Sequence, residues 1–207
     1  MPLNQMAIIR QLKKYSALIN GVDNYGEGGL CHGFAYVHAA MAATGKLNWW
    51  HDALKKISEW DGSLNALDQK IILKGEDSDQ DCNPQQREQP KNLRYLFERI
   101  ASYVVFNFQP SIMNDANDKV IRQDRLLEVF EVYDSNSKKW LSVNKEQYRT
   151  IAGNLSDEDL KQLLTIKNLE NNMCILAGSD HSCSLRSSNN KFYFYNPNFS
   201  CKTPDMI

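Results

Sequence analysis

The chain lacks an excess of either charge. Its 24 basic and 25 acidic side chains nearly cancel, leaving a net charge of -1. A nucleic-acid binder needs a basic surplus to displace counterions from phosphates, and no dense Lys/Arg run supplies one. No stretch approaches the roughly 20 apolar residues that span a bilayer. The opening residues, Met1 to Lys14, lack the apolar run and small-residue cleavage site of a secretory signal peptide. Secretion by a machine that reads no such signal would leave no trace in these residues. Cysteine is sparse, at positions 31, 82, 174, 183 and 201. An odd and thinly spread set excludes a disulfide scaffold and reads as free thiols in a reducing compartment. Internal repeats and low-complexity tracts are also missing.

What is present fits one α+β domain. With 207 residues, 42% of them hydrophobic, the chain can bury a sizeable core. Apolar residues at helical spacing predict a first helix over about Gln5 to Ile19. A loop with four glycines follows, at 21, 26, 28 and 29. The Ala-rich run Cys31 to Thr44 predicts a second helix, with Phe34, Val37 and Met41 on one face and Gly45 as its stop. Asn48 is placed as the cap of a third helix that turns Trp50, Leu54 and Ile57 inward and leaves through Asp61-Gly62. Ser63 to Lys74 reads as a further helix ended by Gly75, and Glu76 to Pro90 as an exposed polar loop. Lys91 to Phe106 is helical at first and then β-branched and aromatic, so helix and strand compete there. Asn144 and Ser156 read as helix caps. Ser156-Asp157-Glu158-Asp159 is the stronger, with an acid at the reciprocal capping position.

The last third changes character. Met173 to Ala177 predicts a buried strand, His181 to Arg186 an alternating one, and Lys191 to Tyr195 a third. Helices therefore come first and an antiparallel sheet last.

The sharpest chemical signal is Cys31, which follows Gly28-Gly29-Leu30 and opens a helix. A cysteine attacks as its thiolate, and a helix N-terminus favours an anion through its partial positive charge and free N–H groups. Those N–H groups can also receive the oxyanion of an attacked carbonyl. Gly33 is a poor helix residue, so something other than helix propensity holds it in the first turn. Most free cysteines are simply small buried hydrophobes, so the assignment needs partners.

A thiol nucleophile needs a base and a group that fixes the base's tautomer. Of the four histidines, His32 adjoins Cys31 and cannot face it on a helix. His38 lies two turns on and points away from the helix start. His51, after Trp49-Trp50, reads as a helix-surface or core-edge residue. Only His181 lies on a strand at the far end of the chain. Strand parity then supplies the third member. With a four-residue Ser187–Asn190 loop, Asn196 lies opposite His181. With a two-residue Asn189-Asn190 loop, it lies opposite Cys183 and diagonal to His181. Both registers put His181 and Asn196 on one face, with Cβ atoms roughly 5–8 Å apart. A slip of one residue would separate them.

These stretches together resemble the YopT-type family of bacterial effector cysteine proteases, in the papain-like superfamily. Gly29-Leu30-Cys31-His32-Gly33 matches its cysteine motif, and His181-Ser182-Cys183-Ser184-Leu185 its histidine strand. Phe192-Tyr193-Phe194-Tyr195-Asn196-Pro197-Asn198-Phe199 matches its aromatic strand and Asp-Pro-Asn-aromatic-Gly close. Asn196 stands where that family has aspartate, and Ser200 replaces the closing glycine. Papain-like enzymes commonly use asparagine in this role, since its carbonyl accepts the imidazole N–H. The resemblance covers about 50 residues at the two ends.

The resemblance implies a papain-like fold, with a helical N-terminal part carrying the nucleophile and a C-terminal antiparallel sheet. It implies a single domain over residues 1–207 with a helical insertion at about 60–172. It also implies a Cys31–His181–Asn196 triad that forms a thioester acyl-enzyme, with no cofactor and no metal. Asn24, beside the position where papain places a glutamine, is the candidate oxyanion side chain. The implied substrate is a protein or peptide of a host cell, reached from the bacterial cytoplasm through a specialised secretion system. The chain stops at Ile207, soon after Phe199, as a piece of a longer protein would.

A transglutaminase-like acyltransferase or deamidase would use the same triad, and a binding module could carry it as a vestige. Two metal readings are weaker. Asp77 to Glu88 spaces oxygen ligands as a calcium loop does, but Cys82 replaces the turn glycine and Pro84 the usual aliphatic residue. His181, Cys183 and Cys201 are poorly spaced for zinc.

Overall fold

A computed structural model describes residues 4–21, 30–43, 47–73, 92–106, 131–134, 139–142, 154, 156–165, 173–178, 180–199 and 205–206. The fold is α+β. Its helices are α1 (Gln5–Asn20), α2 (Cys31–Ala43), α3 (Leu47–Ser58), α4 (Leu64–Leu67), α5 (Leu93–Phe106) and α6 (Asp157–Leu163). Strands β1 (Glu131–Asp134) and β2 (Lys139–Ser142) pair as a hairpin. Strands β3 (Met173–Ala177), β4 (Ser182–Ser188), β5 (Lys191–Tyr195) and β6 (Asp205–Met206) form an antiparallel sheet in sequence order.

Local chemistry sets most element ends. The Asn4 side chain accepts the Ala7 N–H at 3.0 Å to open α1. Gly21, at φ 69°, closes it by donating to the Ala17 carbonyl. Ser156 and Asp159 complete a capping box that starts α6. Asn189 and Asn190 both have positive φ, 53° and 57°, as a two-residue type I′ hairpin turn requires. The shorter of the two loops is therefore the one formed.

Other expectations are corrected. Asn48 lies inside α3, which begins at Leu47, so it is not the cap. Ser63 does cap a helix, but that helix ends at Leu67 instead of running to Lys74. Lys70 instead bridges to Asn92, just before α5, and this pairing competes with further helix. Residues 93–106 are helical throughout, because Leu93, Leu96, Phe97, Ile100 and Val104 form one buried stripe. The β1–β2 pair lies within the 60–172 region, so that region is not helical throughout. Asn24, Gly75, residues 76–90 and Asn144 lie outside the described residues, as do Cys82 and Cys201. Among the described residues no helix is long and apolar enough to cross a membrane.

The core packs α3 and α5 on α2, with α1 set against α3 and α5. Ile8, Leu12 and Tyr15 of α1 are buried, with Trp50, Leu54 and Ile57 of α3. Tyr15 stacks on Phe97 at 4.7 Å, and Trp60 meets Phe97 edge-on at 5.0 Å. Helix α2 is buried almost all round, from Cys31 to Met41 with only His32 half-exposed. Phe34, Val37 and Met41 do face the core, but they are only one side of it. The sheet covers the other, against β3 and β4.

Gly33 owes its place to this packing. A Cβ there would fall inside the Val104 carbonyl of α5. Only a residue without a side chain lets the two backbones approach so closely. Gly33→Ala is therefore expected to destabilise the fold by about 3 kcal/mol or more, since backbone must move. Urea or thermal unfolding measures this, and a variant within about 0.5 kcal/mol of the parent would contradict the close contact.

Candidate active site

The N-terminus of α2 meets the start of β4 along a polar seam. The Phe34 N–H donates to the Leu30 carbonyl at 2.9 Å, so the N–H groups of Cys31, His32 and Gly33 precede the first intrahelical bond. They form the electropositive end of the helix at the thiol. Cys31 is 7% exposed, and its Sγ lies 3.9 Å from the carbonyl oxygen of Asp180, to which it donates. Next along the seam, His32 Nδ1 is 2.9 Å from Ser182 Oγ, and His38 Nδ1 is 3.1 Å from Ser184 Oγ. His38 also stacks on Tyr195 at 3.8 Å with the rings nearly parallel. His38 does point away from the start of α2, but into the sheet, where it is buried.

His181 stands at the mouth of the β3–β4 hairpin. The Gly178 N–H donates to its carbonyl at 2.8 Å and closes that turn. Its side chain meets the turn that follows β5. The register pairs Ser184 with Tyr195, so one further step sets Cys183 across from Asn196 and His181 on the diagonal. His181 Nε2 and Asn196 Oδ1 are 2.8 Å apart. The amide oxygen can only accept, so Nε2 carries the proton and donates. The same oxygen accepts the Asn198 N–H at 3.0 Å, and the Phe199 N–H donates to the Asn196 carbonyl at 3.1 Å. Pro197 is fully buried between them.

His181 and Asn196 are thus brought together, and Cys31 reaches the residue just before His181. No hydrogen bond among the described residues joins Sγ to the imidazole. The thiol is satisfied by the Asp180 carbonyl, while the His181 ring edge turns to the Asn196–Asn198 turn. Of the poorly spaced zinc candidates, only His181 and Cys183 are among the described residues. Among those residues no group of three metal-binding side chains occurs.

At Cys174 and Cys183 the surroundings disfavour the thiolate. Burial pushes the Cys174 thiol up, and burial together with the neighbouring Cys31 does the same for Cys183. The seam histidines are held neutral. Burial lowers His32 and His51. It lowers His38 to about 3, with smaller contributions from His51 and Arg186. Sequence reasoning missed this row of histidines, because nothing local announces that a second face of α2 is covered.

No protein-family model, curated protein or solved structure matches the chain.

The buried histidines generate a pH dependence. His38 has an ordinary value of 6.5 and a folded value of about 3, so the unfolded chain binds its proton first as pH falls. Its contribution to stability is complete above about pH 6.5 and is lost as pH falls toward about 3. The expected slope is about 1.4 kcal/mol per pH unit from His38 alone. His32 and His51 act in the same direction. Urea unfolding at pH 7, 5.5 and 4.5 measures the slope, which should flatten in His38→Gln. An unchanged slope in that variant would show that His38 takes up its proton in the fold.

Proposed function

We propose that this protein is a papain-like thiol hydrolase in which Cys31 is the nucleophile, His181 the general base and Asn196 the residue that orients the histidine. The observation that carries the reading is the 2.8 Å His181–Asn196 bond, one residue beyond the carbonyl that the Cys31 thiol touches. With Nε2–H held by Asn196, the neutral ring keeps its lone pair on Nδ1. In this reading the Cys31 thiol leaves the Asp180 carbonyl and donates its proton to that nitrogen.

The chemistry then follows. Nδ1 takes the thiol proton and Sγ attacks a substrate carbonyl carbon. The resulting oxyanion faces the free N–H groups at the start of α2. Collapse breaks the carbon–nitrogen bond, and the leaving amine takes the proton from the imidazolium. A thioester remains on Cys31. Water, deprotonated by His181, hydrolyses it to a carboxylic acid and frees the thiol. The motif resemblance extends the proposal to a bacterial effector, delivered by a specialised secretion system, that cleaves a host protein.

Iodoacetamide labelling at pH 6, read by peptide mass, tests the assignment. Cys31 should label about tenfold faster than Cys174 and Cys183, and His181→Gln should abolish that lead. Asn196→Asp should keep Cys31 reactivity within about threefold of the parent, because either oxygen accepts the imidazole N–H. Asn196→Ala, which leaves the ring free to rotate, should lose about tenfold. Equal labelling of the thiols, or a folded Asn196→Ala as reactive as the parent, would overturn the triad.

A further inference from the structure

The base nitrogen of His181 has a second neighbour. Asn198 Nδ2 lies 3.5 Å from Nδ1, the nitrogen on which the hydrolase reading relies. What turns the amide this way is Gln5, in the first turn of α1 and 193 residues away in the chain. Gln5 Nε2 donates to Asn198 Oδ1, and the Gln5 backbone N–H donates to the Pro197 carbonyl at 2.7 Å. Since the oxygen of Asn198 is taken by Gln5, its NH2 group is left to face the ring.

Gln5 is itself an unusual buried residue. It is 5% exposed, and its Oε1 is buried without a partner among the described residues. A glutamine that only filled space there would be better replaced by an apolar side chain. Asn198, by contrast, is exposed apart from these contacts.

We infer that Gln5 and Asn198 form a positioning pair for His181, resting on the hydrolase reading of that histidine. Gln5 fixes the amide so that a donor faces Nδ1. A donor there pairs with the bare lone pair and opposes a proton on that nitrogen. Asn196 holds the proton on Nε2 from the other side. The ring is thereby kept in the one neutral tautomer that can act as a base toward Cys31. The Asn198 bond is long, so a thiol arriving at Nδ1 displaces a weak partner. Gln5 touches no reacting atom, and Asn198 meets the base nitrogen only until the thiol takes its place.

The test uses nitrogen-15 NMR of histidine-labelled full-length protein, with the His181 signals assigned by their loss in His181→Gln. In the parent at pH 8, the expected spectrum has Nε2 protonated and Nδ1 bare. Asn198→Asp keeps the Gln5 bond and the backbone turn but sets a carboxylate against Nδ1. The midpoint of the His181 titration should then rise by about one pH unit. Combining it with Gln5→Met, which removes the tether, should shrink that rise to less than half. Thermal melts confirm that each variant is folded. A parent spectrum with Nδ1 protonated, an unmoved midpoint in Asn198→Asp, or a rise as large without Gln5 as with it would overturn the positioning pair. The spectra need no turnover, so they stand apart from the hydrolase reading, which fails if Cys31 labelling is indifferent to His181.

Discussion

Helix α2 is covered on both sides, and the rest of the fold is arranged around that requirement. On one side Gly33 lets the backbone of α5 come into contact, where any side chain would collide with the Val104 carbonyl. On the other, the sheet lies against the helix through paired polar groups, His32 with Ser182 and His38 with Ser184. A helix buried all round usually joins its neighbours by apolar contact alone. Here the sheet-facing side carries imidazoles, each of which must find a partner when desolvated. The serines of β4 supply those partners at a spacing of two along the strand, matched to six residues along the helix. That match fixes how far along β4 the helix sits.

The position of the candidate site follows from the same seam. Cys31 starts the helix and Asp180 precedes the strand, so alignment of His32 with Ser182 carries the thiol to the Asp180 carbonyl. Stacking of His38 on Tyr195 then places the end of β5, and with it the Asn196 turn that meets His181. Helix α1 closes the arrangement from the opposite end of the chain, through Gln5 on Pro197 and Asn198. Cys31, His181, Asn196 and Gln5 therefore sit on or beside four different elements. Each is tied to the next by directional bonds, which specify position more sharply than apolar packing does.

This polar seam carries a thermodynamic consequence. Its histidines are neutral because burial disfavours their charge, so the fold resists acid less well than a wholly apolar seam would. The compensation is geometrical: two His–Ser pairs set one register, where interchangeable apolar contacts would tolerate several.

Much of this was legible in the residues themselves. Ser63 and Ser156 act on backbone within a few positions of themselves, and Asn189-Asn190 needs only its own tolerance of positive φ. The parity that lets Asn196 meet His181 is likewise counted along a single hairpin, since strand side chains alternate strictly. What tertiary structure alone decided lies across long separations. The helix after Ser63 stops early because Lys70 bridges to Asn92. Residues 93–106 remain helical because the core takes up their stripe. Gly33 looked out of place until Val104 was set against it. The second buried face of α2, the thiol's choice of the Asp180 carbonyl and the tether from Gln5 to Asn198 leave no local pattern. The Gly33, thiol and Gln5 contacts join groups 71 to 193 residues apart, and only the packing of the whole chain brings such groups within hydrogen-bond or contact range.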